Sequence, residues 1–316
     1  MITVVMAVYN GEAYLRQQID SILEQTVWET EHMKILASDD GSSDGSRFVI
    51  REYEEKYPGR VMGIYREAPS GGAWQHFMEL ISMAGKEGKP GDYLMLSDQD
   101  DRWFPDKAER SLRKMKELEK EHPGCPVLVH SDMRVVDENL SVMDGSYFHY
   151  QKISPERNRL SQLLVQNNVT GGAIMMNTEL AGLLREKPSV CLMHDNWIAL
   201  VASVFGIIGW VPAPLYDYRQ HGKNSLGAKK GDTIEESVER LKNGSQAEKN
   251  YRAMYGQAEE LLRIYGGQMD KDSRETLEAF LGMRNQGRLK KIGTMLARGF
   301  TKNNWFRTLG QMLFMP

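Results

Sequence analysis

The first hundred residues alternate short apolar runs with amphipathic stretches. Ile2 to Val8 is almost continuously apolar, the pattern of a strand covered on both faces. Asn10-Gly11 breaks the run, and Leu15, Ile19, Ile22 and Leu23 then recur at helical spacing. Met33 to Ala37 predicts a second strand, Asp39 to Gly45 a turn-rich loop, and Ser46 to Tyr57 a helix stopped by Pro58-Gly59. Val61 to Tyr65 predicts a third strand. Ala73 to Met83 predicts a helix carrying Trp74, Phe77, Met78 and Ile81, and Tyr93 to Leu96 a fourth strand. This order argues for an α/β chain with a doubly wound, mostly parallel sheet and helices on both faces.

The middle is less regular. Val127 to Val129 and Ala173 to Met176 predict strands, the latter after Gly171-Gly172. A helix around Asn196 to Val204 and a strand around Ile207 to Val211 follow. Ile198 to Leu215 holds no charged residue and is just long enough to be weighed as a membrane span, but it contains Gly206, Gly209, Pro212 and Pro214. It reads as the end of a buried helix followed by a buried strand. Residues 231 to 280 are helical in composition, with breaks at Gly244, Gly256 and Gly266-Gly267. Residues 1–228 are therefore expected to form one α/β domain, and 229–316 a helical C-terminal extension.

A chain of 316 residues with net charge −3 gives no general case for a nucleic-acid partner. Cys125 and Cys191 are far apart and form no Cys-x-x-Cys, as expected of free thiols in a reducing cytoplasm. The opening apolar run is too short for a signal peptide and no basic region precedes it.

The chemistry concentrates in Ser97-Asp98-Gln99-Asp100-Asp101-Arg102-Trp103, directly after the fourth strand. Three carboxylates in four positions repel one another unless a cation shares the charge. In an extended backbone Asp98 and Asp100 would point to one face and could reach one hard divalent ion, Mg²⁺ or Mn²⁺. A polar loop capping the next helix would show the same residues. In open parallel sheets ligands bind at the carboxyl ends of the strands. Three polar loops fall at such ends here: Tyr9 to Glu12, Ser38 to Gly41, and Asp98 to Asp101. There is no Gly-x-Gly-x-x-Gly and no Gly-Lys-Ser/Thr loop, so a bound diphosphate needs another counter-charge.

Val8-Tyr9-Asn10-Gly11, Ser38-Asp39-Asp40-Gly41-Ser42-Ser43-Asp44 and the Asp98 to Asp101 run, in this order, resemble the family 2 glycosyltransferases of the GT-A fold. With Met193-His194-Asp195-Asn196-Trp197 and Tyr218-Arg219-Gln220-His221-Gly222-Lys223-Asn224-Ser225, the set is most similar to the bacterial rhamnosyltransferase branch. The resemblance spans about residues 2 to 226. It implies a metal-dependent, inverting transfer of a sugar, with rhamnose suggested, from a dTDP- or UDP-linked donor. The acceptor implied is a hydroxyl of a glycan or lipid-linked glycan in bacterial surface-polysaccharide assembly. Ala7, Tyr9 and Glu12 would line the base and ribose, Asp39 would accept from the pyrimidine N–H, and Asp98 would meet the ribose. Asp100 and His221 would hold Mg²⁺ or Mn²⁺, with Arg219 and Lys223 in a lid over the diphosphate. Asp195 would be the base that deprotonates the acceptor, with Gly171, Gly172, His194 and Trp197 on the acceptor side. Turn-building is the competing role for Asp39, helix capping for Asp195, and a tight turn for Gly171-Gly172. Many relatives carry Glu-Asp where this chain has His194-Asp195.

From Ala279 onward the chain has seven Lys or Arg and no Asp or Glu. Leu289, Ile292, Leu296 and Phe300, then Trp305, Phe306, Leu309, Met312 and Leu313, give an apolar face with cationic flanks. That composition predicts peripheral contact with an anionic membrane, at the inner face of the cell membrane. A helix packed on its own domain is the alternative. Two other readings compete for the whole chain. A sugar-phosphate nucleotidyltransferase would carry a Gly-rich basic loop after the first strand. A non-catalytic nucleotide-sugar-binding or membrane scaffold subunit would bind a donor without turnover.

Overall fold

The computed structural model describes residues 1–222 and 244–315. These fall into two units. The first holds Met1–Tyr147, Thr170–Lys187 and the described part of Gly206–Ala228. The second holds Phe148–Val169, Pro188–Phe205 and the described part of Lys229–Pro316. The expected division at residue 228 was contiguous. The observed one instead places 148–169 and 188–205 with the C-terminal helices.

The first unit is built on a sheet of nine strands among the described residues. They are β1 (Ile2–Val8), β2 (Met33–Asp39), β3 (Val61–Tyr65), β4 (Tyr93–Ser97), β5 (Arg102–Trp103), β6 (Val127–Val136), β7 (Val142–Asp144), β8 (Met175–Asn177) and β9 (Ile207–Arg219). The order is β3-β2-β1-β4-β8-β6-β9-β5, with β7 on β6. The first four are parallel, as their apolar runs predict. β8 runs antiparallel to both neighbours, β4 and β6. Ile2, Val4, Val5, Met6 and Val8 are all fully buried, which is why β1 lacks the alternation of a half-exposed strand. Helices α1 (Glu12–Leu23), α2 (Ser46–Lys56), α3 (Ala73–Glu87) and α4 (Lys107–Glu121) connect or follow these strands. Each buries one face: Leu15, Ile19 and Ile22 on α1, and Ala108, Leu112, Met115 and Leu118 on α4.

The apolar stretch from Ile198 divides as expected into a helix ending at Phe205 and strand β9 starting at Ile207. Gly206 makes the corner, where a Cβ would sit 1.9 Å from the Pro126 carbonyl oxygen. No helix among the described residues is long and apolar enough to cross a membrane.

The second unit is helical. The helix His194–Phe205 buries Trp197, whose ring lies 6.2 Å from that of Tyr265 on the helix Gly244–Tyr265. Gln257 donates to the Asn196 side chain (2.5 Å) and accepts from the Leu192 N–H (2.8 Å). Phe280, on the helix Lys271–Gly282, packs between Tyr255 (5.0 Å) and Phe300 (5.3 Å). Phe300 is thus a core residue, not part of the expected exposed face. The helices Arg288–Arg298 and Trp305–Phe314 still present Leu289, Leu296, Trp305, Phe306, Leu309 and Leu313 outward.

His130, on β6, is almost fully buried, and burial pulls its imidazolium down to about 4. The folded value lies below the unfolded one of about 6.5, so the neutral ring favours folding fully above that pH and progressively less as pH falls towards 4. Thermal unfolding of the chain is expected to move to lower temperature between pH 6.5 and 4. His130→Leu should make that dependence shallower by up to about 1.4 kcal/mol per pH unit. Calorimetric scans across this range check the slope.

Candidate functional site

The carboxyl ends of β1, β2 and β4 carry three loops that bond one another. Gln99 holds the first loop from the third, accepting from the Tyr9 N–H (2.7 Å) and donating to the Tyr9 carbonyl (3.0 Å). Asn10 takes a left-handed backbone (φ 51°), which its short polar side chain tolerates. Its side-chain oxygen accepts from the Ser43 N–H (2.8 Å), and the Ser42 hydroxyl accepts from the Asn10 N–H (2.9 Å). Gly11 donates to the Ser46 hydroxyl (2.9 Å), and a Cβ there would meet Gln99 Oε1 at 2.4 Å. Glu12 accepts from the Gly45 N–H (2.9 Å) at the start of α2. These bonds fix the edge of the sheet before any ligand arrives.

The residues expected at the nucleotide separate by exposure. Tyr9 is 55% exposed, and Ala7 is half-buried opposite Ser38 in the β1–β2 register. Asp39 is fully buried. It accepts from the Gly41 and Ser42 N–H groups (3.2 Å each) and pairs with Arg47 Nε at 2.6 Å. Turn-building, the competing role, is visible here. Asp40 is likewise engaged, by Ser70 and by Arg66 (3.0 Å).

The acidic run is split. β4 ends at Ser97 and the chain bends at Gln99 and Asp100, so the extended spacing that would put Asp98 and Asp100 on one face is absent. Asp100 Oδ2 lies 2.8 Å from His221 Nε2, and the His221 ring packs 4.9 Å from Tyr14. The two residues proposed as metal ligands from opposite ends of the first unit's sequence therefore meet. Asp98 and Asp101 face Gly172: a Cβ at Gly172 would lie 2.9 Å from Asp101 Oδ2 and 3.2 Å from Asp98 Oδ2. Gly171–Ala173 forms a short tight turn, and both glycines are buried.

A carboxylate and an imidazole in contact fit one face of a Mn²⁺ or Mg²⁺ ion. Among the described residues no third His, Cys, Asp or Glu completes a cage. The remaining ligands of such an ion would be diphosphate oxygens and water, the usual arrangement for these cations.

Arg219 departs from its expected role at the diphosphate. It is 3% exposed, and its guanidinium donates to the Asp100 carbonyl (2.8 Å), the Glu138 carbonyl (2.7 Å) and Gln17 Oε1. It stacks on Tyr14 at 4.5 Å. Arg219 is a tether for the acidic loop. Lys223 lies outside the described residues.

On the acceptor side, Asp195 stands in the first turn of the helix His194–Phe205. Half-buried, it accepts from the Asn196 N–H (2.6 Å). It is inside the helix rather than at its cap. His194 and Trp197 do not present themselves to an acceptor: Trp197 is fully buried and His194 is 5% exposed, with burial pulling its imidazolium down to about 3. All three belong to the second unit.

Lys107 escaped notice in the sequence. It opens α4, is fully buried, and donates to the Gly172 carbonyl. Its ammonium sits 3.8 Å above the Tyr216 ring and 4.3 Å above that of Trp103. Burial pulls it down to about 7, against Asp101 and Asp98, which favour its charge. Burial likewise pushes the Asp101 carboxyl well above the usual carboxylate range, helped by Asp98 and Asp100 and opposed by Lys107. A lysine before an amphipathic helix looks solvated in sequence; only the position of Lys107 beneath the acidic run hints otherwise.

A profile described as Glycosyl transferase family 2 matches residues 3–183. The dTDP-rhamnosyl transferase RfbG of Shigella flexneri is 35% identical over 107 residues, 34% of this chain and 35% of that protein. The putative teichuronic acid biosynthesis glycosyltransferase TuaG of Bacillus subtilis (strain 168) is 32% identical over 211 residues, 66% of this chain and 75% of that protein. The chain thus matches about a third of the first relative's length and three quarters of the second's. Among solved structures, S. aureus TarS 1-349 in complex with UDP-GlcNAc has a TM-score of 0.57 at 16% identity, covering 94% of this chain and 72% of that one. Mannosyltransferase PcManGT from Pyrobaculum calidifontis in complex with GDP-Man and Mn²⁺ has a TM-score of 0.52 at 14% identity, covering 94% and 79%. At such identities these establish the fold, which is GT-A with added C-terminal helices.

The double bridge from Gln99 to Tyr9 ties the first loop to the third in the free chain. Gln99→Ala is expected to speed amide exchange at 9–11 and 99–101 about 3- to 10-fold, the loss of one or two exposed hydrogen bonds, with other segments unchanged. Hydrogen exchange read by mass spectrometry checks it.

Proposed function

The chain belongs to glycosyl transferase family 2, and from that premise we propose a metal-dependent, inverting transfer of a sugar from a nucleoside diphosphate to a glycan hydroxyl. The contact of Asp100 with His221 at the sheet edge carries this reading. It brings together two residues 121 positions apart that the family resemblance had paired for an ion. A pyrimidine-linked donor, with rhamnose as its sugar, is supported by the name of the S. flexneri relative. A role in surface-polysaccharide assembly is supported by the name of the B. subtilis one.

In this mechanism Tyr9, Ala7 and Glu12 border the base and ribose, and Asp39 accepts from the pyrimidine N–H. Asp98 meets the ribose. Asp100 and His221 would hold Mg²⁺ or Mn²⁺, which supplies charge neutralisation to the departing diphosphate when bound. Gln99 and Arg219 keep the loops that present these groups in place, so little is reorganised during reaction. Asp195 accepts the proton of the acceptor hydroxyl as its oxygen attacks the anomeric carbon, and a single displacement inverts the centre. The Gly171–Ala173 turn borders the acceptor side. The helix Trp305–Phe314, with Trp305 61% and Phe306 75% exposed beside Arg307 and Lys302, is the proposed contact with an anionic membrane surface at the inner face of the cell membrane.

Three outcomes test this reading. Asp100→Ala should abolish Mn²⁺-supported donor binding, measured by calorimetry with and without chelator. Asp195→Asn should bind donor normally and lose about 10²- to 10⁴-fold in transfer across a panel of nucleotide sugars; normal turnover would remove the assignment of the base. Trp305→Ser/Phe306→Ser should cut flotation of the full chain with anionic liposomes at least about tenfold, the loss of two interfacial aromatic anchors. Equal flotation of variant and wild type rejects the membrane contact.

A further inference from the structure

Lys107 stands behind the site, and its surroundings are specific. A fully buried ammonium is costly unless its donors and charge are met. Here the Gly172 carbonyl takes one donor, and the faces of Tyr216 (3.8 Å) and Trp103 (4.3 Å) take the charge. The Asp101 carboxyl is fully buried beside it. Asp101 Oδ1 accepts from the Arg219 N–H (3.3 Å), while Oδ2 has no hydrogen-bond partner among the described residues and points at the Gly172 turn together with Asp98 Oδ2. Two carboxyl groups thus converge on one glycine, and Lys107 is the cation beneath them. The buried ammonium is bonded to the same glycine on which both carboxyl groups converge.

The geometry points to Lys107 as a positioning residue for sugar transfer: it pins the Gly171–Ala173 turn beneath the acidic loop as a cation under Asp98 and Asp101, and so holds the loop where Asp100 faces His221. Lys107 has no exposed surface, so it reaches donor and acceptor only through these groups. The inference rests on reading the Asp98 to Asp101 loop as the donor diphosphate site. Loss of the pin lets the loop rise and the turn loosen. A misplacement of that order at a reacting centre costs about 100-fold in rate while leaving contacts to the base largely intact.

The test uses the full chain and two variants, Lys107→Met and Lys107→Met/Asp101→Asn. Hydrogen exchange read by mass spectrometry should show Lys107→Met accelerating amides at 97–102 and 171–174 at least about tenfold, with other segments unchanged. Its kcat should fall about 10- to 100-fold with donor KM within about threefold of wild type. The double variant removes the charge that Lys107 offsets but not the lost bond to the Gly172 carbonyl, so it should regain protection at 97–102 and part of the rate while 171–174 stays fast. Acceleration spread evenly over the chain, a rise in KM at constant kcat, or a double variant no better than the single one at 97–102 overturns the proposal. If Lys107→Met does not fold, the double variant decides: recovery of the fold with 97–102 protected and 171–174 fast supports the role, and failure of both variants rejects it. If wild type turns over no nucleotide sugar, the proposed function fails, while the exchange pattern still decides the positioning role.

Discussion

Three carboxyl groups within four residues at the end of a buried strand set the central constraint of this chain. Left together in one direction, they would repel in a medium that screens poorly. The fold separates them. Asp98 and Asp101 turn toward Gly172, whose carbonyl a buried lysine holds, and Asp100 turns to His221. The bend at Gln99 and Asp100 makes the division possible. Gln99, sitting between the two directions, uses its own amide to clamp the neighbouring loop.

Much of the surrounding structure serves that division. Tyr216 and Trp103 form the aromatic floor for Lys107, and they lie on β9 and β5, which pair antiparallel at the sheet's far side. Asp217, next to Tyr216, is fully buried between Arg102 and Arg134 and locks the same two strands to β6. Gln18 donates to the Ser97 hydroxyl at the base of the acidic loop (2.7 Å), and Gln25 donates to the Phe104 carbonyl just beyond it (2.8 Å). Polar groups on α1 and just beyond its end therefore brace both ends of the loop. Buried polar networks of this kind specify one arrangement because any partial version leaves groups unsatisfied.

The parallel half of the sheet was legible because its strands are covered on both faces and read as apolar runs. β5 and β7, two and three residues long, leave no periodicity to find. The three ligand loops were legible from topology, since they fall at carboxyl ends of parallel strands. The meeting of Asp100 and His221 needed the family resemblance, because nothing in spacing links residues so far apart. Lys107 was illegible because its burial depends on Gly172, Trp103 and Tyr216, which arrive from three separate segments. Trp197 and His194 misled for the opposite reason: aromatic and imidazole groups beside a candidate base look functional, yet an apolar helix start buries them equally well. Arg219 misled because a cation near a diphosphate site is easily read as a ligand, when two backbone carbonyls and the Gln17 side chain hold its guanidinium instead.

The interleaved order of the two units carries a consequence for how the chain can be divided. The helix that bears Asp195 keeps Trp197 against Tyr265 and Asn196 against Gln257, both supplied from beyond residue 243. Severing the polypeptide after residue 228 would strand that helix, apolar on most of its circumference, without its natural cover. The C-terminal segment is thus integral to the proposed chemistry, and shuffling it among relatives would leave the acceptor-side helix behind without its cover.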